Sequence, residues 1–113
     1  MKKYSKELIA ASTIPIILSI LKQGDSYGYQ LIKDVQKISE GTLLWKEGSL
    51  YPVLSKLEKN EIIESYIKKE NGRNRKYYHL KEKGSSQLEQ LKMEWNSINQ
   101  TMNKLWNDQL ALD

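Results

Sequence analysis

The fold of this chain is decided by residues 47–58, whose sequence is EGSLYPVLSKLE. The three leucines of this segment recur at intervals of four and three residues, a spacing that places them on one stripe of a helix. Gly48-Ser49 is expected to form a turn and an N-cap, and Pro52 then falls in the first helical turn, where its missing N–H costs little. The segment therefore predicts a short helix that buries its leucines and exposes small, hydroxyl-bearing and basic side chains.

Two runs rich in isoleucine and tyrosine follow this helix directly, at residues 62–68 and 75–80. Between them lies Asn71-Gly72, the strongest short-range signal for a β-hairpin. Strand alternation requires that one of the adjacent Tyr77 and Tyr78 face inward. A core-docked helix followed by a basic hairpin is the ending of a winged helix-turn-helix. In that fold the helix enters the major groove of DNA, and the hairpin contacts the adjacent backbone or minor groove.

The composition is that of one folded domain with an appendage: 113 residues, of which 39% are hydrophobic and 28% charged. The absence of cysteine excludes a disulfide framework, a thiolate metal site and a cysteine nucleophile, and it fits a reducing compartment. The stretch Ile14–Leu21 contains Pro15 and is far shorter than the roughly 20 residues needed to cross a bilayer. We therefore expect a cytoplasmic protein with no membrane partner.

The net charge of +4 is unevenly distributed. Residues 1–81 hold 15 Lys and Arg against 9 Asp and Glu, a net +6, whereas residues 82–113 hold 3 against 5, a net −2. The excess peaks at the hairpin, where five cations face only Glu70. These cations are Lys68, Lys69, Arg73, Arg75 and Lys76. Such a concentration on a hairpin beside a helix predicts a phosphate-binding surface.

A first helix is predicted over Lys6–Lys22, with a broad apolar surface, and it is interrupted by Pro15. Either Ser12 or Thr13 caps a new helix there, with the proline in its first turn, or one helix is kinked at the proline. The residues leave both arrangements open.

A second helix is predicted over Tyr27–Ile38, after Gly24 ends the first and Asp25 or Ser26 caps the next. Leu43–Trp45 is expected to form either a short strand or a turn whose side chains pack against the core. The predicted order is helix, helix, short strand, helix, strand, strand, which is an α+β class that is mainly α.

A different pattern begins at Gly84, where apolar residues are spaced at intervals of three and four. This 3.5-residue period over more than two heptads is typical of a coiled-coil seam. The seam positions are Leu88, Leu91, Trp95, Ile98, Met102 and Leu105. A helix of this length, nearly 40 Å, is too long to be covered by its own domain. We therefore expect a winged helix-turn-helix over residues 1–81 and a dimerisation helix over 82–113, with the N-terminal helix as the partner surface. The alternative is a monomer whose last helix folds back on its first.

Three blocks in this order resemble the PadR-like transcriptional regulators, and in particular their short branch with a single C-terminal dimerisation helix. The blocks are Tyr27-Gly28-Tyr29-Gln30-Leu31, Gly48-Ser49-Leu50-Tyr51-Pro52 with Leu57-Glu58, and Gly72-Arg73-Asn74-Arg75-Lys76-Tyr77-Tyr78-His79-Leu80 with Gly84. The resemblance implies a homodimeric winged-helix repressor of a roughly palindromic operator, often released by a small molecule. It also implies that some short members stack flat aromatic, often cationic compounds on a tryptophan that matches Trp95.

The chain departs from the family pattern at three positions. Where the family usually has a glycine that closes the third helix, this chain has Glu61, so we expect Asn60 to adopt the left-handed cap conformation. The usual threonine N-cap of the last helix is Lys81. Asn99, one turn beyond Trp95, is neutral, which puts cation binding in doubt.

The residues predicted to contact DNA lie on the helix and the hairpin. Ser49, Tyr51, Ser55 and Lys56 are expected to meet base edges and flanking phosphates, while Arg73, Arg75 and Lys76, assisted by Lys2 or Lys3, hold the backbone. Tyr51 equally fits a purely structural role. The alternative function is a winged-helix module for protein–protein contact without sequence-specific DNA binding, which the basic hairpin disfavours.

No enzyme, cofactor or metal site is predicted. The single histidine, His79, is expected to be a solvated strand residue, and the chain has no Gly-rich phosphate loop and no HExxH motif. Trp95 is the one candidate for binding a small aromatic effector, and the alternative is that it only fills the helix seam.

Overall fold

The computed structural model describes residues 4–107, and it confirms an α+β, mainly helical winged helix-turn-helix with a long C-terminal helix. Its elements are α1 (Lys6–Gln23), β1 (Ser26–Tyr27), α2 (Gly28–Ile38), α3 (Glu47–Lys59), β2 (Ile63–Glu70), β3 (Arg73–Leu80) and α4 (Glu82–Trp106). The three strands form one antiparallel sheet in the order β1-β3-β2.

The first helix is continuous through Pro15. It begins after Ser5, whose hydroxyl accepts a hydrogen bond from the Leu8 N–H at 3.2 Å. Thr13 does not cap a new helix, because its hydroxyl donates to the Ile9 carbonyl at 2.7 Å. Ser12 donates to the same carbonyl at 3.0 Å. Both hydroxyls therefore bond back along an uninterrupted helix, and the two-helix alternative is wrong.

The third strand of the sheet is β1, not Leu43–Trp45. Ser26 pairs with Tyr78, and Tyr27 pairs with Tyr77. The predicted order of elements is thus wrong at this point, since the short strand precedes α2. The expected cap is wrong as well: Tyr27 occupies the N-cap position of α2 and makes no side-chain capping hydrogen bond.

The predicted hairpin is confirmed, and β2 and β3 pair over eight residues each. Its turn lies at Asn71 and Gly72, with φ values of 50° and 77°. Two consecutive left-handed residues match the right-handed twist of the flanking strands, which explains why asparagine and glycine occupy the turn. The basic residues are thereby held on a regular two-stranded wing.

One apolar core joins α1, α2, α3, the sheet and the start of α4. Gly84 lies so close to this core that a Cβ there would be 3.0 Å from Ile62 Cγ2. Leu88 is only 1% exposed and belongs to this core. Its prediction as a dimer-seam residue is therefore wrong, because a side chain already buried within its own chain has no surface left for a partner.

The prediction that Asn60 adopts the left-handed cap conformation at the end of α3 is wrong. Asn60 has a φ of −88° and remains in the ordinary right-handed region. Glu61 itself takes the left-handed conformation, with a φ of 61°. The chain therefore keeps the left-handed backbone conformation that glycine usually provides here. Because Glu61 has a Cβ, this conformation is sterically strained.

Candidate nucleic-acid interface

The exposed side of α3 carries the residues predicted to meet base edges. Leu50, Leu54 and Leu57 are buried, as their spacing predicted. The helix begins at Glu47, after Lys46, so Ser49 lies in the first turn instead of capping it and Pro52 lies in the second turn. All four predicted base-contact residues, Ser49, Tyr51, Ser55 and Lys56, are among the side chains of α3 that face solvent.

Tyr51 joins this surface to α2. Its phenol lies against Gly28, where an added Cβ would be 2.7 Å from Tyr51 Cζ. Burial raises the pKa of the Tyr51 phenol, and the nearby Glu47 carboxylate raises it further. The ring is nevertheless 39% exposed. The same side chain can therefore brace α2 against α3 and still reach a ligand, so the two roles proposed from the sequence are compatible.

A cleft of about 430 Å³ lies between α3 and the wing. It is lined by Tyr27, Gly28, Tyr29, Tyr51, Arg73, Asn74, Arg75 and Lys76. Of the first four, Tyr27 ends β1, Gly28 and Tyr29 begin α2 and Tyr51 belongs to α3; the last four come from β3. Because β1 pairs only with Tyr77 and Tyr78, residues 73–76 have no neighbouring strand on that side within the described part of the chain. Their free backbone edge and their cations face the same cleft.

The three predicted phosphate-binding residues of the wing differ in their surroundings. The Arg75 guanidinium lies over the Tyr27 ring, 4.1 Å from its centroid, and Nη1 is 3.6 Å from Glu70 Oε1. Lys76 Nζ is 3.6 Å from Glu58 Oε1 and remains about half exposed. Arg73 is exposed near the turn and has no ion pair with any residue between 4 and 107. Arg73 is therefore the least constrained of the three.

The wing carries an aromatic cluster on the face turned away from the core. Tyr77 lies between Tyr27 and Tyr66, with ring centroids 5.2 and 5.8 Å apart. Its hydroxyl donates to Glu70 Oε1 at 2.8 Å, and this hydrogen bond, together with burial, raises the pKa of the Tyr77 phenol. Tyr78 points into the core. One tyrosine faces inward as predicted, but the other is also buried, under its aromatic neighbours.

Asp25 connects the loop after α1 to both wing strands, a contact that no sequence pattern indicated. Its carboxylate accepts a hydrogen bond from the Tyr66 hydroxyl at 2.7 Å and lies 2.7 Å from His79 Nδ1. Burial alone would raise the pKa of Asp25, but these two hydrogen bonds and the charges of His79 and Lys68 lower it. His79 is therefore a partly exposed strand residue with a carboxylate partner. Its partner lies 54 residues away in the sequence, which is why no local pattern revealed it.

The predicted effector residue Trp95 is half-buried between the last helix and the first. It lines a groove of about 320 Å³ with Pro15, Ser19, Leu88 and Leu91 among its neighbours. Beyond it the seam becomes exposed, with Ile98 56% and Leu105 50% exposed, and the adjacent Trp106 is 72% exposed. Met102 is intermediate. Among the seam positions of α4, those that the described chain leaves exposed thus lie beyond Trp95, in the second half of the helix.

Within residues 4–107, no helix combines the length and the apolar character needed to span a membrane. The same part of the chain contains no group of three or more His, Cys, Asp or Glu side chains placed to hold a metal ion. The predicted residues Lys2 and Lys3 lie outside the described residues.

Several solved structures with this architecture are transcriptional regulators. A PadR-like transcriptional regulator from Bacillus cereus has a TM-score of 0.81 and 33% identity, over 92% of this chain and 100% of that one. A transcriptional regulator from Clostridium thermocellum has a TM-score of 0.81 and 34% identity, over 88% of this chain and 95% of that one. These matches extend well beyond the sheet and α3.

Proteins with similar sequences and a family model point to the same class of protein. The transcriptional regulator YqjI of Escherichia coli is 36% identical over 75 residues, which are 66% of this chain but only 35% of YqjI. An uncharacterized protein from Lysinibacillus sphaericus is 32% identical over 93 residues, 81% of this chain and 85% of that protein. The model of the transcriptional regulator PadR-like family matches residues 17–90. The chain therefore belongs to the PadR-like family of transcriptional regulators, and it is a DNA-binding regulator, not an enzyme.

Proposed function

We propose that this protein is a homodimeric repressor in which two copies of α3 enter successive major grooves of a roughly palindromic operator. The observation that carries the proposal is the cleft that Tyr51, on the exposed side of α3, lines together with the cationic free edge of β3. A duplex that contacts α3 is then flanked by the wing of the same chain. The regulator would act in the cytoplasm.

Within this interface, we assign specificity to α3 and affinity to the wing. Ser49, Tyr51, Ser55 and Lys56 are exposed and project from one helix, which suits contact with base edges. Arg73, Arg75 and Lys76 supply charge to phosphates, which raises affinity for every sequence alike. Substitutions at Ser49 or Lys56 should therefore change sequence preference, whereas those in the wing should not.

The dimer would form through α4. Its exposed apolar residues continue the 3.5-residue repeat beyond Trp95, and nothing among residues 4–107 covers them. Leu8 of α1 is also exposed, which supports α1 of the partner as the facing surface. Because Gly84 and Leu88 pack into the core, the first two turns of α4 would belong to the DNA-binding unit of residues 1–81. The remainder of 82–113 would form the dimer.

We further propose that release from DNA is caused by a planar aromatic compound bound at the dimer interface beside Trp95. The groove of about 320 Å³ next to this indole supports the proposal, since Trp95 lines it together with Pro15 and Leu91. Asn99 provides no negative charge, so a neutral ring should bind as well as a cationic one. Quenching of Trp95 fluorescence by a planar dye, lost in Trp95→Phe, would test the assignment; unchanged emission would leave Trp95 a packing residue.

The main experiment is a binding titration with DNA from upstream of the chain's own coding region, followed by fluorescence anisotropy at several salt concentrations. We expect one dimer per inverted repeat, half-sites about 34–36 Å apart, and affinity that falls steeply with salt. Transcription from that promoter should rise when the protein is removed. Binding that is indifferent to both sequence and salt would contradict the proposal and favour a protein-interaction module.

A further inference from the structure

We infer that Tyr27 is a positioning residue for DNA binding, and that its ring holds the Arg75 guanidinium where it can meet a backbone phosphate. The inference rests on the proposed assignment of Arg75 to phosphates, and it gives β1 a function. This strand is only two residues long, yet it places Tyr27 beside the cationic edge of β3. Tyr27 and Arg75 line the same cleft.

Backbone pairing, ring packing and a hydrogen bond all fix the position of the Tyr27 ring. Tyr27 pairs with Tyr77 across the sheet, and the two rings meet edge to face with centroids 5.2 Å apart. The Tyr27 hydroxyl donates to Gln30 Oε1 at 3.3 Å, and Gln30 Nε2 donates to Asp34 Oδ1 at 2.7 Å. Arg75 is two residues before Tyr77 on β3 and so shares its face of the sheet, which brings the Arg75 side chain next to this fixed ring.

The Arg75 guanidinium is held without using its hydrogen-bond donors. Its Cζ lies 4.1 Å from the centre of the Tyr27 ring, a distance at which an aromatic face attracts a cation. Glu70 Oε1 lies 3.6 Å from Nη1, which is longer than a hydrogen bond. Among residues 4–107 the guanidinium donates no hydrogen bond, and the side chain is 34% exposed. Its N–H groups are therefore accessible to a phosphate.

A guanidinium that is already held should bind a phosphate more tightly than a mobile one. A mobile arginine loses rotamer freedom when it contacts DNA, and this loss lowers affinity. Stacking on Tyr27 restricts Arg75 beforehand and leaves free the planar N–H fork that matches a phosphate. Arg73 provides the comparison, since within residues 4–107 it has neither an ion pair nor an aromatic ring beneath it. Tyr27 should therefore matter for Arg75 and not for Arg73.

The first test is spectroscopic and needs no DNA. The chain contains two arginines, Arg73 and Arg75, so two arginine Nε–H resonances are expected in a ¹H–¹⁵N spectrum, and Arg73→Lys assigns them. In the wild type, the ring current of Tyr27 should shift the Arg75 Nε–H and Cδ protons upfield of those of Arg73. Tyr27→Phe should keep this shift and Tyr27→Leu should lose it, whereas Tyr29→Leu, which removes another ring from the cleft, should not alter it. Equal shifts for the two arginines in the wild type would overturn the inference.

The second test is a double-mutant cycle on affinity for a duplex of arbitrary sequence at low salt, since phosphate contacts do not depend on sequence. Tyr27→Leu should weaken binding about threefold to tenfold, and Tyr27→Phe should recover most of this loss. The loss should disappear when Arg75 is already replaced by alanine, but it should persist in Arg73→Ala. A merely structural role of Tyr27 would lower affinity equally in both backgrounds, and that result would overturn the inference.

Failure of the inference and failure of the proposed phosphate contact give different results. If Arg75→Ala binds the duplex as tightly as the wild type, the assignment of Arg75 to phosphates is wrong and the inference is overturned with it. If Arg75→Ala weakens binding but Tyr27→Leu does not, only the inference is overturned. Urea denaturation checks that each variant is folded. Should Tyr27→Leu not fold, Tyr27→Ile, whose β-branched side chain suits a strand, takes its place in the cycle.

Discussion

At the scale of single residues, the contact between Gly28 and Tyr51 links the DNA-facing helix to its support. We expect Gly28→Ala to displace the Tyr51 ring and to destabilise the fold by about 1–3 kcal/mol, as overpacking does. Gly48 is the matched control, because nothing lies within 4 Å of a Cβ there. Gly48→Ala, within α3, should instead stabilise by up to about 1 kcal/mol. Urea denaturation measures both changes.

The same contact predicts coupling between the two residues. Tyr51→Ala should remove most of the penalty of Gly28→Ala, because the clash needs both side chains. Additive losses in a double-mutant cycle would mean that the backbone of α2, and not the phenol, resists the added methyl group.

Glu61 permits a stabilising substitution. Its φ of 61° is unfavourable for a residue with a Cβ, so Glu61→Gly should stabilise the protein by about 1 kcal/mol. The ion pair between Glu61 and Lys81 is 3.5 Å long and mostly exposed, and its loss should cost little. Asn60→Gly, at a φ of −88°, should bring no gain. Denaturation midpoints of the two variants distinguish the relief of backbone strain at position 61 from a general effect of glycine near the helix end.

Asp25 predicts a defined response to acid. Because its pKa is lowered in the folded protein from the usual value of 3.8, the carboxylate contributes stability that is present above that value and lost as the pH falls through the folded pKa. Asp25→Asn should therefore be less stable than the wild type at pH 6, and the difference should shrink below about pH 4. Parallel stability curves for the two proteins down to pH 2 would contradict this assignment.

At the scale of elements, the wing combines an exposed cation with an anchored one. Arg73→Ala should weaken binding to all DNA sequences and reduce the salt slope by about one, with no change in stability. Arg75→Ala should weaken binding similarly but also destabilise the wing, because the guanidinium lies over Tyr27 and beside Glu70. Anisotropy titrations at several salt concentrations, with thermal melts, separate the two effects. Equal melting temperatures for both variants would show that the contacts of Arg75 do not hold the wing.

Local sequence patterns predicted most helices and strands correctly, because these elements depend on residues close together in the sequence. The leucine spacing of α3 and the Asn71-Gly72 turn each specify their structure within a dozen residues. The strand at Ser26–Tyr27 was missed because its only reason to be extended is pairing with Tyr77 and Tyr78, some fifty residues later. Pro15 was ambiguous for a related cause: whether a helix continues through proline depends on packing against its neighbours, not on the proline alone.

At the scale of the whole molecule, the two halves of α4 should respond differently to truncation. Leu88→Ala removes a fully buried side chain and should destabilise each chain by about 2–5 kcal/mol. Leu105→Ala removes an exposed one and should leave the fold of the chain intact while weakening dimerisation. Sedimentation equilibrium and denaturation of the two variants test this division. A Leu105→Ala protein that dimerises as tightly as the wild type would place the interface elsewhere.

The sequence by itself determined the fold class, the wing, and the exposed polar side of α3, because periodicity and turn chemistry act over short distances. Only the tertiary structure decided that Leu88 faces its own core, that Tyr51 braces α2, and that Asp25 holds the wing strands. Each of these depends on which surfaces meet after the chain has folded. An apolar repeat such as that of α4 shows which side chains are favourable to bury, but it does not distinguish burial within the chain from burial against a second copy.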